Sequence, residues 1–168
     1  MLHTPDQLAD VAGIRDVVLR CAHGLDRLDE ACMRSAYWPE GTDDHGPSGV
    51  HPAWEYVAIA IEGHRAWRST LHCVLNHLVE LEPDGVTARG QSYCIATLFA
   101  ADRPVLHTWY GRYLDRYEKR GDEWRIIERV CVSEGGRTDD PLPEMPYPLH
   151  EFRQGSFDRP SSGRPIGP

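Results

Sequence analysis

TLHCVLNHLVEL, residues 70 to 81, is where the chain changes its period. The run is rich in aliphatic and β-branched side chains and ends at Pro83-Asp84-Gly85, a turn signal. Three similar runs follow, Val86 to Phe99, Val105 to Tyr117 and Glu123 to Ser133, separated by Ala101-Asp102-Arg103-Pro104 and Arg120-Gly121-Asp122. Four runs with such punctuation predict an antiparallel meander. Upstream the period is helical. Leu8, Val11, Ile14, Val17, Val18, Cys21 and Leu25 recur at three- and four-residue steps, which predicts a helix from Asp6 to Leu25, capped by Thr4 with Pro5 in its first turn. A short helix is expected from Leu28 to Ala36, where Trp38-Pro39-Glu40-Gly41 breaks it and a polar loop, Thr42 to Pro52, follows. Ala53 to Trp67 is the third helical segment, apolar at Trp54, Val57, Ala58 and Ile61. Helices first and sheet second is an α+β pattern. Three N-terminal helices are expected to pack on one face of a strongly curved antiparallel sheet.

The composition narrows the function. The chain has 168 residues, 26 acidic and 18 basic, a net charge of −8 with histidines neutral, which fits one domain. An acidic balance without a Lys/Arg block repels a phosphate backbone, so nucleic-acid binding and polybasic membrane anchoring are both disfavoured. The longest nearly uncharged stretch, Ser92 to Ala101, is half of what a bilayer needs, and Met1 to Pro5 carries no signal pattern. A cytoplasmic protein with a small or uncharged partner is expected. Cys21, Cys32, Cys73, Cys94 and Cys131 are odd in number and never form CxxC, so they read as small core residues with free thiols. More than half of the thirteen prolines follow Asp139. Residues 1–138 are therefore read as the domain, and 139–168 as a proline-rich tail, a loose end or a pocket lid.

Of nine histidines, His3, His23, His51, His64 and His150 read as solvated imidazoles at the terminus, on helix surfaces or in loops. His72 and His77 are five apart, and an odd spacing in a strand sends them to opposite faces, so they are not expected to share a metal. Asp43, Asp44 and His45 have metal-type side chains but lack a second nearby histidine, and read as solvated loop rather than a metal site. There is no GxGxxG, Walker loop, HExxH or GxSxG. Any catalysis is expected to be acid–base chemistry without cofactor or metal. Asp26 ends the first helix, where the helix dipole disfavours an acid. Either it caps a local turn with Arg27 or Asp29, or something further away holds it.

Gly24-Leu25-Asp26-Arg27-Leu28-Asp29, then Tyr37 to Gly46, then Thr70 to Asn76, then Gly111-Arg112-Tyr113-Leu114-Asp115-Arg116-Tyr117 ending in Trp124-Arg125-Ile126, resemble in order and spacing the SnoaL-like branch of the NTF2-like superfamily. The likeness covers residues 6 to 133. It implies a cone-shaped sheet wrapped by three helices around a pocket. Within the branch the chain is similar to hexachlorocyclohexane dehydrochlorinase and scytalone dehydratase, where an aspartate near the end of the first helix pairs with a histidine on the first long strand. Asp26 and His72 stand at those positions.

The resemblance thus implies an Asp–His dyad. A carboxylate bound to one imidazole nitrogen fixes the tautomer and makes the other nitrogen a better base. His72 is expected to abstract a proton while Asp26 orients it. If His72 points inward, alternation sends Val74 and Asn76 the same way. The family register puts Tyr113, Trp109 and His107 inside, with Arg129, Cys131 and Ser133 on the last strand. Tyr113 or Tyr93 is a candidate phenolic acid, Arg129 a candidate for holding developing negative charge, and His45 a candidate at the pocket mouth. Packing is the other reading of Tyr93, Trp109 and Tyr113, and pairing with Glu128 or Glu118 that of Arg129. The expected activity is elimination or dehydration of a small hydrophobic, cyclic or aromatic substrate. Two alternatives are a retro-aldol carbon–carbon lyase releasing formaldehyde from a lignin-derived diaryl diol, and a non-catalytic binding protein or dioxygenase-small-subunit-like partner. The resemblance also implies a homo-oligomer, trimer or dimer. In this family C-terminal segments can cover the pocket, a role open here to Tyr147, His150, Phe152 and Phe157.

Overall fold

A computed structural model describes residues 3–144, 146, 148 and 151. The first helix, α1 (Pro5–Asp26), starts where the sequence says it should. The Thr4 hydroxyl accepts from the Gln7 backbone N–H and the Gln7 side chain accepts from the Thr4 N–H, a reciprocal cap with Pro5 at the first helical position. Its buried stripe is Ile14, Val17, Val18, Cys21 and Leu25, while Leu8 is exposed. The helix ends in a Schellman turn: Asp29 N–H reaches Gly24 O at 2.8 Å and Leu28 N–H reaches Leu25 O at 3.2 Å. Leu28 takes the left-handed conformation there, φ 52°, a position usually filled by glycine. A second short helix, α2 (Glu30–Arg34), is capped by Asp29, whose carboxylate accepts from Cys32 N–H at 2.9 Å. Asp29, not Asp26, is thus the local cap. Gly24 lets the two helices touch, since a Cβ there would lie 2.5 Å from Met33 N.

The segment after α2 is not a loop. It forms β1 (Tyr37–Asp44), a short 3₁₀ turn (Gly46–Ser48) and β2 (Val50–Pro52), and leads into α3 (Ala53–His64). Pro39 is tolerated because the ladder skips from Tyr37↔Ile126 to Thr42↔Glu128, so its missing N–H leaves no gap. The meander follows as β3 (Trp67–Leu81), β4 (Thr87–Ala100), β5 (Leu106–Arg120) and β6 (Glu123–Asp139). β6 also departs from expectation, continuing through Gly135 and Gly136 to pair Asp139 with Leu106, with a register shift opposite Tyr110 and Gly111.

One six-stranded sheet results, in the order β2-β1-β6-β5-β4-β3. The expectation of a strongly curved, purely antiparallel sheet is corrected on both counts. β1 runs parallel to β6. The sheet is also open rather than strongly curled, with β2 and β3 as unjoined edges and therefore no closure to impose a bend. Nor do all the helices precede the sheet, because α3 follows β2. They share one face, where Ile14, Val17, Met33, Tyr37, Val57, Ile61, Tyr117 and Ile126 form the core. Among the described residues nothing covers the other face. No helix among the described residues is long and apolar enough to cross a membrane. The proposed lid residues Tyr147, His150, Phe152 and Phe157 lie outside the described residues.

Candidate functional site

Asp26 and His72 meet. Period two places Thr70 and His72 on the helix-covered face of β3, where the last residue of α1 points at both. One oxygen of Asp26 accepts from Thr70 Oγ1 at 2.8 Å and from His72 Nδ1 at 2.7 Å; the other accepts from the His72 backbone N–H at 2.7 Å. Both side chains are nearly buried, 12 % and 8 % exposed. A carboxylate only accepts, so the ring hydrogen is assigned to Nδ1, which leaves the lone pair on Nε2.

His64, expected on a helix surface, lies beside the dyad, its ring 5.5 Å from that of His72. Its Nδ1 bonds Ala60 O at 2.8 Å, so Nδ1 carries the hydrogen, and its buried Nε2 has no partner. Burial and then the neighbouring His72 push its pKa below the ordinary histidine value, which keeps a permanent second charge away from the dyad.

A further carboxylate–imidazole pair comes from the end of β1 and the residue that follows it. The fully buried Asp43 accepts from the Tyr37 hydroxyl at 2.7 Å while bonding His45 Nδ1, just past the strand, at 2.8 Å. The His45 ring stacks on Tyr56 at 4.6 Å and lies 6.1 Å from Tyr113. The reading of Asp43 as solvated loop missed the pairing, although His45 itself was a candidate for the pocket mouth and does line the cleft.

Arg129 is buried and committed. It makes a bidentate pair with Asp115 at 2.7 and 2.8 Å, places Nη1 3.3 Å from Cys21 Sγ, and lies 4.3 Å above the Tyr113 ring. Burial alone would lower its pKa, but Asp115 with Tyr37 and Cys21 hold it well above the ordinary value. The expected partners Glu128 and Glu118 are not used. Burial, and then Cys94, drive the Tyr113 phenol well above the usual tyrosine range.

These groups surround a narrow cleft lined by His72, His45, Tyr37, Tyr56, Tyr113, Arg129 and apolar residues of α1 and α2. Trp109 stays on the inner face beside Tyr113, at 5.9 Å, and donates to Ser133 Oγ at 3.0 Å, but does not line the cleft. Two expected contacts face away from it. Tyr93 is 42 % exposed because Ser92 and Cys94 take the inner positions of β4. Asn76 is exposed because β3 shifts register between Val74 and His77, which turns Asn76 out and His77 in. His72 and His77 thus share a face, yet His77 is engaged elsewhere, its Nε2 3.4 Å from the Tyr117 hydroxyl. Burial pushes the Cys94 and Cys131 thiols up to about 11 and about 12, while Cys73, expected in the core, is exposed. Among the described residues no three His, Cys, Asp or Glu side chains converge as metal ligands.

Comparison with known proteins agrees with this fold. The sequence pattern of the SnoaL-like domain matches residues 6–130. The hexachlorocyclohexane dehydrochlorinase LinA-type3 of Novosphingobium barchaimii is 17 % identical with a TM-score of 0.74, covering 84 % of this chain and 98 % of its own. A putative scytalone dehydratase from Novosphingobium aromaticivorans is 17 % identical with a TM-score of 0.69, covering 88 % and 97 %. ActVI-ORFA of Streptomyces coelicolor is 19 % identical with a TM-score of 0.63, covering 74 % and 97 %. Identities this low carry the fold and not the substrate. No curated protein sequence matches.

Proposed function

The chain belongs to the SnoaL-like domain family of the NTF2-like superfamily, and on that premise we propose that it is a cofactor-independent lyase acting on a small cyclic or aromatic molecule. The observation that carries the reading is the orientation of His72. Asp26 holds the Nδ1 hydrogen and the Nε2 lone pair is left as a base beside the cleft. In the reaction His72 Nε2 takes a proton from a carbon next to an activating group. The C–H electron pair becomes the new double bond, the leaving group departs with its own electrons, and Asp26 faces the imidazolium that forms. General base catalysis contributes a factor of about 10² to 10⁴; positioning between aromatic walls supplies more.

The substrate class follows from the lining. Tyr37, Tyr56, Tyr113, Leu25, Met33 and Val18 offer apolar and aromatic surface. Arg129 has its charge matched by Asp115, so an anionic substrate has no free cation to bind there. The solved structures named a dehydrochlorinase and a dehydratase support an elimination. The molecule also acts as a homo-oligomer in this reading. Among the described residues the sheet face away from the helices exposes Leu71, Leu75, Leu78, Tyr93, Tyr110 and Leu114, a patch of the kind that a second copy covers.

The test is a panel of cyclic alcohols, halides and diaryl propanediols given to the wild type, His72→Ala and Asp26→Asn. New conjugation is followed by ultraviolet absorbance and formaldehyde by trapping. Conjugation that is lost in both folded variants supports the dyad. Formaldehyde release would move the reaction to carbon–carbon cleavage, and full activity in His72→Ala would remove the base assignment.

A further inference from the structure

The aromatic lining does not stop at the cleft. Tyr56, His45 and Tyr113 line it, and the contacts run on from ring to ring: Tyr56 to His45 at 4.6 Å, His45 to Tyr113 at 6.1 Å, Tyr113 to Trp109 at 5.9 Å. Trp109 is the outer end of this wall, half-buried where Tyr56 and Tyr113 are buried. Its ring is fixed in two ways. A Cβ at Gly111 would overlap Cζ2 and Cη2 of the indole, so the indole lies down along the strand with its six-membered ring over the bare backbone of that glycine. Its Nε1–H donates to Ser133 Oγ at 3.0 Å. The polar edge is thus satisfied within the protein, and what remains to offer a ligand is the apolar ring surface. The register keeps the ground beside it low: Trp109 pairs with Ala96 on one side and Gly136 on the other, neither with a side chain tall enough to screen a ring.

We propose that Trp109 is a stacking platform for a part of the substrate that does not react, and that the site therefore takes an extended planar aromatic molecule of at least two rings. The inference deepens the lyase reading and rests on it for the reacting end of the ligand. His72, Ala96 and Trp109 are neighbours in one row across β3, β4 and β5, and two strand spacings separate the first from the third by about 10 Å. The carbon that meets His72 Nε2 and the ring that meets Trp109 are hence different parts of one molecule. Only the methyl group of Ala96 stands between them, which lets a flat ligand pass over.

The surface selects for an aromatic ring over a polar or a saturated one. Polar groups find little to bind there: the Trp109 N–H is taken by Ser133, and His107 Nδ1, two residues along the strand, is engaged with Thr138 Oγ1 at 2.9 Å. Trp67 meets the His107 ring edge-on at 5.4 Å, which adds an aromatic edge at this end of the sheet. A puckered ring touches a flat indole with fewer atoms than a planar ring does, and it lacks the quadrupole that favours offset stacking.

The experiment pairs two probes of one skeleton, planar 2-naphthol and its saturated counterpart 2-decalol. Each is titrated into ¹⁵N-labelled wild type, Trp109→Leu and Trp109→Phe, and affinities and indole N–H signals are read from the spectra. The Trp109 signal is the one that Trp109→Leu lacks. In the wild type 2-naphthol is expected to shift that signal more than 2-decalol does. Trp109→Leu is expected to weaken 2-naphthol by about three- to tenfold and to leave 2-decalol within about twofold, while Trp109→Phe keeps 2-naphthol within about twofold of the wild type. Retained 2-decalol binding shows that Trp109→Leu is folded; if a thermal melt shows it unfolded, the Trp109→Phe affinities and the wild-type indole shift decide. Equal losses for the two probes, no loss, or an unmoved indole signal overturn the platform. So does a wild type that binds no 2-naphthol at millimolar concentration, which is also what a segment of the chain already lying on the ring would give. Because binding is read and not turnover, a failed platform leaves the lyase reading standing. Conversely, a substrate panel without product removes that reading, while 2-naphthol held at Trp109 still supports an aromatic ligand there.

Discussion

Asp26→Asn keeps the shape of the side chain and removes its charge, and the geometry fixes what that must do. Asp26 receives three donors: the Thr70 hydroxyl at 2.8 Å, the His72 ring at 2.7 Å and the His72 backbone N–H at 2.7 Å. An amide has one accepting oxygen and an NH₂ that only donates. With the NH₂ toward the backbone N–H, that N–H is orphaned in a nearly buried site, a loss of about 1–3 kcal/mol. With the NH₂ toward the ring, Nδ1 must accept, so the ring hydrogen moves to Nε2 and the lone pair that takes the substrate proton is gone. The first orientation costs stability and the second activity, about 10² to 10⁴ in kcat. Urea unfolding measures one, initial rates on a substrate from the panel measure the other, and ¹⁵N spectra of the His72 ring report which nitrogen is protonated. A variant with wild-type stability and a rate within about threefold would refute the reasoning.

Arg129→Met leaves Asp115 buried without its cation and should cost about 3–5 kcal/mol by urea unfolding, much of it recovered when Asp115→Asn is added; an unrecovered double variant would mean that the pair is not the cause. Gly24→Ala drives a Cβ to 2.5 Å from Met33 N and should destabilise by about 1–3 kcal/mol, whereas Gly63→Ala, in α3 with open space around it, should stabilise by up to about 1 kcal/mol. The His64 and His77 pKa values are lowered by burial from the ordinary 6.5. Below that value the unfolded chain binds protons that the folded one refuses, so stability is present above pH 6.5 and falls as pH drops toward the folded pKa values, by at most about 1.4 kcal/mol per pH unit and group. His64→Gln should flatten that slope in a pH series of urea midpoints.

The two-period pattern was legible because it is local. α1 and the meander β3 to β6 follow from spacing and turn residues, and Asp26 drew notice through an acid at the wrong end of a helix. Register was not legible. Pairing Arg120 with Glu123 and counting back along an unbroken hairpin would set Asp115 opposite Glu128; the shift at Arg116 and Tyr117 sets it opposite Arg129 instead. A similar irregularity turned Asn76 outward, and neither carries a sequence mark. Tyr93 was ambiguous because both faces of β4 bear apolar side chains, so alternation could not choose one. β1 was hidden by Pro39 and Gly41, which read as punctuation although the ladder bypasses them, and with β1 went the Asp43–His45 pair and the parallel contact.

Three carboxylates are buried among the described residues, Asp26, Asp43 and Asp115, and the fold treats them differently. A buried carboxylate costs several kcal/mol of desolvation unless it is matched. Asp115 is matched outright, by a bidentate arginine that no proton can leave. Asp26 and Asp43 have instead a hydroxyl, an imidazole and, for Asp26, a backbone N–H. Hydrogen bonds of this kind hold the carboxylates in place without cancelling their charge. The imidazole is the one partner that becomes positive by taking a proton, so the electrostatic match at both sites is completed only when a proton arrives. A scaffold that needed merely to be stable gains nothing from leaving two such charges unmatched beside one cleft. A site that shuttles protons gains from both, because the carboxylate already in place stabilises each imidazolium as it forms without any rearrangement of the protein.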